Sequence, residues 1–350
     1  MEHAACRRVR GDLSSVRRRA AAFLDNLPGE DDHGTIAREN WITKWTEIGN
    51  DQCFLGDLNA KEGACDEATE AWLCALTAFE IARRLADDDD PQCADVSAKI
   101  EAGVQRLELS LARIIQRVKI LDCDCAELLV YYFSAGGRDL PAPAVICISR
   151  EEETGATLLG RLLPVVIARG ISVLVVSHDE FANHSPRQSE DFFSCCFDYL
   201  SARPEIDARR IGVYGEGLSA VLATDFAVFD RRVAAAVCDG GLWNSARTLA
   251  SVGWMTRTAD VVDEDLMSIH RVRLARQLRC PALVVAGGRG IVSETEAINL
   301  KAGCAAASID LELAVSPVSP TWEVENFVTS DDRIFEWLEH KLAAVQLHNL

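Results

Sequence analysis

The sequence predicts an α/β fold: a mostly parallel sheet with helices on both faces, preceded by an α-helical domain and carrying a helical lid. Three observations predict it. From about Leu13 to Val118, apolar residues recur at three and four spacing, as in Trp72, Leu73, Leu76, Phe79 and Ile81, which is the helical period. Beyond Val118, short apolar runs of the fully buried kind alternate with helical stretches, the rhythm of a parallel sheet with its site at the carboxyl ends of the strands. Between Leu242 and Arg279 the rhythm breaks over a segment too long for a simple connection, and Trp243, Trp254, Met255 and Met267 there predict a lid over the site.

In chain order, residues 1–117 form the helical domain and 118–350 the sheet domain, with the lid at about 242–279. Asp87 to Asp90 before Pro91 ends one helix as a solvated turn, since it lacks the alternating ligands and closing glutamate of a calcium loop. Val118 to Leu121 and Leu128 to Phe133 read as a hairpin. Strands follow at Ala144 to Ile148, Ile171 to Val176, Ile211 to Tyr214, Val233 to Val237, Ala282 to Val285 and Leu311 to Val315. The helices between them are Thr157 to Ala168, Gln188 to Ala202, Leu218 to Phe229, Glu294 to Cys304 and Asp331 to Val345.

Composition excludes several function classes. A net charge of -18 repels nucleic acid and anionic membranes, so either role would need a local basic patch. The nearest candidate, Arg7, Arg8, Arg10, Arg17, Arg18 and Arg19, is interrupted by Asp12 and runs into the amphipathic Phe23, Leu24 and Leu27, so it reads as a solvated helix face. No apolar stretch has membrane-span length and no start resembles a secretion signal, which gives a cytoplasmic expectation. The 13 cysteines are scattered, and Cys74, Cys147, Cys238 and Cys280 lie in apolar runs as small buried hydrophobes. Cys123 with Cys125 and Cys195 with Cys196 lack partner pairs at zinc spacing, so no metal and no cofactor is expected.

The most informative segment is Arg210-Ile211-Gly212-Val213-Tyr214-Gly215-Glu216-Gly217-Leu218-Ser219-Ala220. An apolar strand, a Gly-x-?-x-small turn and an apolar helical run outline a nucleophile elbow, with Gly217 in the nucleophile's slot. Glycine has no side chain with which to attack, so an acyl-enzyme route cannot begin there.

Together with Trp41-x-x-x-Trp45-x-x-x-Gly49, Arg117-Val118-Lys119-Ile120, Ala168-Arg169-Gly170-Ile171, Tyr199 to Gly212 and Cys280 to Val285, this layout resembles the α/β-hydrolase superfamily. It is most similar to the branch with an amino-terminal helical domain that includes the fermentation-respiration switch esterase and dihydroxypseudooxynicotine hydrolase. The resemblance implies a serine nucleophile, a histidine base and an aspartate that orients it. On the matching positions the serine slot is Gly217 and the acid slot is Gly290. The histidine loop, Ser316 to Asn326, contains no histidine and has Trp322 near the slot. The loop that is glycine-rich in relatives reads Ser149-Arg150-Glu151-Glu152-Glu153, whose negative charges oppose an oxyanion. The resemblance therefore implies a member without the triad.

The remaining chemistry rests on His178, Asp179, Glu216 and Asp239, placed at strand tips, with Ser219 in the helix's first turn. A histidine among carboxylates suits proton transfer without a covalent intermediate, as in a tailoring enzyme of bacterial natural-product or modified-peptide maturation. The alternative is a binding protein or scaffold whose pocket, lined by Trp243, Trp254 and Trp322, holds a small molecule, a peptide or a partner of a biosynthetic pathway. A second alternative is an esterase with displaced residues, using Ser219 and a histidine such as His270. The sequence leaves room for a homodimer.

Overall fold

A computed structural model of the protein describes residues 12–27, 34–86, 91–112, 114–121, 127–137, 139–151, 153–182, 186–241, 275–286, 294–306, 308–315 and 324–344. Eight strands form one sheet: β1 (Ile115–Leu121), β2 (Glu127–Phe133), β3 (Ala142–Ile148), β4 (Ser172–Val176), β5 (Ile206–Glu216), β6 (Ala235–Asp239), β7 (Ala282–Ala286) and β8 (Leu311–Val315). Their spatial order is β1-β2-β4-β3-β5-β6-β7-β8. The first two pairings, β1 with β2 and β2 with β4, are antiparallel and the rest are parallel. A parallel sheet needs a crossover for every strand, and those crossovers cover both faces.

The period of two along each strand sorts the core into two layers. Val145, Cys147, Tyr214 and Val237 face one layer with α3 (Cys65–Leu85), α4 (Pro91–Ser110), α5 (Gly155–Val166) and the last helix. Ile146, Ile148, Val213 and Cys238 face the other, with α7 (Pro186–Ser201), α8 (Ser219–Phe229) and α9 (Glu294–Ala306). The last helix is α10 (Phe327–Ala344). α1 (Asp12–Asp25) and α2 (Gly34–Lys61) complete the amino-terminal helices, and α6 (Asp179–Ala182) is a single turn after β4. The buried cluster of the first layer runs without a break from Leu13 in α1 to Leu342 in α10, so the helical segment and the sheet share one core.

Gly49 explains the Trp41, Trp45, Gly49 face of α2. A Cβ there would meet the Phe79 ring at 2.3 Å, so only glycine lets α2 lie this close to α3. Trp41 and Trp45 pack on Phe23 of α1, with ring centroids 4.9 and 5.2 Å away.

Several element boundaries differ from expectation; β1 starts at Ile115, within the stretch read as helical up to Val118 and as domain 1–117, because Ile115 already pairs with Phe133. β5 starts at Ile206, because that residue pairs with Ala142 across a register shift, which the polar run Asp207 to Arg210 hides. β6 starts at Ala235, since the Val233 amide closes a turn onto the Asp230 carbonyl at 3.2 Å. α10 starts at Phe327, where Asn326 Oδ1 accepts from the Thr329 amide at 3.2 Å as a helix cap. Cys74, Cys147 and Cys238 are buried packing thiols, and burial pushes Cys74 and Cys238 up to about 12; Cys280 is only half-buried. Most of the expected lid, residues 242–274, lies outside the described residues. No helix among the described residues is long and apolar enough to cross a membrane.

Candidate active site at the strand ends

β5 ends at Glu216, and the chain turns through Gly217 and Leu218 into α8. Gly217 has a φ of 64°, in the left-handed region, and its amide donates to the Asp239 carbonyl at 2.8 Å. The elbow is thus present in backbone form, with glycine at its apex.

The place a nucleophile would fill is taken by Glu151. Its Oε1 accepts from the Leu218 amide at 2.9 Å, and its Oε2 lies 3.0 Å from where a Cβ on Gly217 would stand. α8 has no side-chain cap from its own N-cap residue, so this carboxylate meets the amide-rich, positive end of the helix. The loop that carries Glu151 is pinned by Ser149. Ser149 Oγ accepts from the His178 amide at 3.0 Å and donates to the Glu153 carbonyl at 2.6 Å. Its carbonyl accepts from Ser219 Oγ at 2.6 Å.

Ser219 also lies 2.8 Å from His178 Nδ1. A carbonyl only accepts, so the single Ser219 proton goes to Ser149 and His178 Nδ1 must donate. A base for Ser219 would need the opposite polarity. Ser219 is also fully buried. The described geometry makes this serine a tether between α8, the β3 loop and His178.

On the other side of the turn lies a buried ion network. Arg161 of α5 pairs with Glu216 at 2.6 Å, approaches Asp331 of α10 at 3.6 Å and donates to the Tyr214 hydroxyl at 2.8 Å. Tyr214 in turn donates to Glu216 at 3.0 Å. From α3, Arg84 joins Glu80 at 2.7 Å and reaches Glu216 at 3.5 Å, while Arg83 bridges Glu80 at 2.8 Å and Glu153 at 3.2 Å. Burial works against the Glu216 charge, but Arg161, Arg84 and Arg150 outweigh it and hold the carboxyl far below its usual range. Asp239 goes the other way, because burial and then the charges of Glu325 and Glu216 push it well above the ordinary carboxyl value. Burial likewise pushes Asp331 up to about 7, with Arg161 and Arg84 only partly offsetting it. Five guanidiniums (Arg17, Arg83, Arg84, Arg150, Arg161) thus act on six carboxyls (Glu80, Glu153, Glu216, Asp239, Glu325, Asp331).

The structure divides the sequence-derived candidates. Glu216 and Asp239 are register partners on β5 and β6 and share the network. His178 and Ser219 form the separate hydroxyl cluster, and Asp179 is exposed in the first turn of α6. Gly290, Trp322, Trp243, Trp254 and His270 lie outside the described residues. Sequence reading missed Glu151 as the group at the elbow, and it missed Glu80, Arg83, Arg84 and Arg161, which look in sequence like solvated helix faces. Among the described residues no cluster of histidine, cysteine and carboxylate side chains is arranged to hold a metal ion.

A cavity of about 20 Å³ beside the elbow is lined by Arg84, Arg150, Glu216, Val324 and Glu325. A groove of about 580 Å³ lies among α1, α5 and α10 and includes none of the elbow residues.

The solved structure of 2,6-dihydroxy-pseudo-oxynicotine hydrolase matches 93% of this chain and 96% of its own, with a TM-score of 0.61 and 18% identity. The fold is the α/β-hydrolase fold. AbyA5 is similar at 16% identity over 79% of this chain and 80% of that one, TM-score 0.49. A Pyrococcus furiosus esterase is similar at 15% over 67% of this chain and 95% of that one, TM-score 0.49. No protein-family profile matches the chain, and no curated protein matches it. On the α/β-hydrolase fold the elbow after β5 is the position from which a nucleophile is presented.

Proposed function

We propose that this chain is a non-hydrolysing protein of α/β-hydrolase fold that holds a small molecule or peptide at the strand ends, as an accessory or tailoring component of a bacterial natural-product pathway. The observation that carries the non-hydrolytic reading is the Glu151 carboxylate, which accepts from the Leu218 amide and occupies the space above Gly217. In acyl transfer the amide after the nucleophile stabilises the developing oxyanion. Here that donor already faces a negative charge, so the site lacks both an attacking atom and a free oxyanion donor. The pathway reading is supported only by analogy with the family that the sequence resembles. The net charge of -18 supports a protein without a nucleic-acid or anionic-membrane role.

Labelling with a fluorophosphonate serine probe, read by mass spectrometry, tests this directly. The wild-type protein stays unlabelled, and Gly217→Ser stays unlabelled while Glu151 is present. Labelling of the wild type at Ser219 would restore a serine hydrolase and end the proposal.

A second reading, proton transfer without a covalent intermediate, is favoured by the raised proton affinity of Asp239, whose carbonyl accepts from the Gly217 amide at the elbow. Neutral Asp239 is a candidate acid and Glu151 a candidate base. This reading predicts that solvent deuterium enters the α-carbon of carbonyl compounds bound by the wild type, and that Asp239→Asn abolishes the exchange.

A further inference from the structure

Three of the residues that line the cavity beside the elbow each keep a buried polar atom with no hydrogen bond: Arg84 Nη2, Arg150 Nε and Glu325 Oε1. Arg84 and Arg150 are 6% and 8% exposed, so these are donors withdrawn from water and left unsatisfied. Arg84 Nη2 lies 3.5 Å from Glu216 Oε1, close enough for attraction but not hydrogen-bonded. Such groups cost about 1–3 kcal/mol each unless something fills them. Deeper in the network Glu80 takes three guanidinium hydrogen bonds of 2.7 to 2.8 Å, while Arg161 Nε, Glu153 Oε2 and Asp331 Oδ2 also lack a hydrogen bond but line no part of this cavity. Three such atoms on the residues that line one cavity mark a place for a polar group.

The inventory identifies that group. Two N–H donors and one carboxylate acceptor complement a ligand with an oxygen that accepts twice and an N–H that donates once. A carboxamide or peptide amide has this pattern. A carboxylate has no donor for Glu325 and would add charge beside Glu216, which is already ionised. An alkylammonium has no acceptor for the arginines. The cavity of about 20 Å³ admits the terminal atoms of an amide. Arg150 brings it to the elbow, since its Cβ lies 3.6 Å from the Cβ position at Gly217. We infer that this cavity recognises the amide group of an amide- or peptide-bearing ligand, with Arg84 and Arg150 donating to its oxygen and Glu325 accepting from its nitrogen. The inference rests on reading the strand ends as a ligand-holding site.

Saturation-transfer NMR on the full-length protein, with benzamide and benzoate as probes, tests it. Benzamide gives a saturable signal and binds at least about tenfold tighter than benzoate, because only the amide meets all three groups. Glu325→Ala, at a half-buried position outside the tightest ion pairs, and Arg150→Ala each weaken benzamide by about tenfold or more while circular dichroism shows the fold retained. Tighter binding of benzoate would make this an anion site and overturn the proposal. So would benzamide binding that both substitutions leave unchanged, or no benzamide binding, the outcome for a cavity that holds only water. Serine-probe labelling reports separately: a labelled wild type ends the non-hydrolytic reading, whereas absent amide binding ends only this one.

Discussion

On the α5 side of the elbow, the turn rests on guanidiniums and carboxyls sealed from water. On the α8 side it rests on two serine hydroxyls, one imidazole and a helix end that meets Glu151. The first set is interlocked: each arginine serves at least one carboxylate, and removing one charge strands its partners in a medium that cannot solvate them. The second set consists of short-range, mostly neutral bonds, whose loss costs one or two hydrogen bonds. The comparison teaches that one face of the site is held by charges that depend on one another, while the other is held by bonds that a substitution can remove at small cost. Gly217 and Glu151 belong to the latter.

The largest effect should come from Arg161→Met, which leaves Glu216 and Asp331 without their main counter-charge. Urea denaturation should show a loss of about 3–5 kcal/mol. A loss below about 1 kcal/mol would erase the difference between the two sides.

Next comes pH dependence. Burial pushes the Asp331 carboxyl up to about 7 from an ordinary 3.8, so the folded state binds the extra proton between those values and stability falls as pH rises through that window. Asp331→Asn, which cannot ionise, should therefore gain on the wild type as pH rises from about 4 to about 7, by up to about 1.4 kcal/mol per unit. Glu80 has the opposite sign. Burial opposes its charge, but Arg83 and Arg84 lower it to about 2, so its contribution is present above about 4.5 and is lost as pH falls toward about 2. Parallel pH profiles for wild type and Asp331→Asn would show that burial does not raise the Asp331 carboxyl.

On the α8 side, Ser219→Ala removes the donor to the Ser149 carbonyl and the acceptor for His178 Nδ1, for an expected cost of about 1–3 kcal/mol. The His178 ring signals, observed by NMR, should move in the same variant. An unchanged imidazole signal would contradict the tether.

The smallest effects concern the elbow itself. Gly217→Ser places a side chain at a left-handed position, costing about 1–2 kcal/mol, and crowds Glu151. Glu151→Ala alone should cost about 1 kcal/mol through the lost bond to Leu218. In the double variant the crowding disappears, so the two losses should sum to more than the measured total. Strict additivity would mean that Glu151 does not occupy the nucleophile's space.

The strands were legible because a parallel sheet covered on both faces demands short, wholly apolar runs, as in Ala144 to Ile148 and Ala282 to Val285. The elbow was legible because a strand, a glycine-bearing turn and an apolar helix fall within eleven contiguous residues, Arg210 to Ala220. Arg83 and Arg84 were not legible: at the end of an amphipathic helix two arginines look like cations that complement the helix dipole in water. Nothing local says that Glu153, 70 residues away, will face Arg83. Glu151 was read as an acidic loop residue opposed to an oxyanion, and its seat on the Leu218 amide, 67 residues on, depends on how β3 and β5 lie side by side.

By itself, then, the sequence determined the element order, the sheet's two covered faces and the glycine at the elbow, since these depend on period and on contiguous residues. The tertiary structure alone decided which charges are buried and paired, which way the proton points between Ser219 and His178, and what occupies the space above Gly217. Those outcomes depend on distances between segments remote in the chain. Electrostatic and hydrogen-bond energies vary steeply over a few ångströms, a scale that local pattern does not encode.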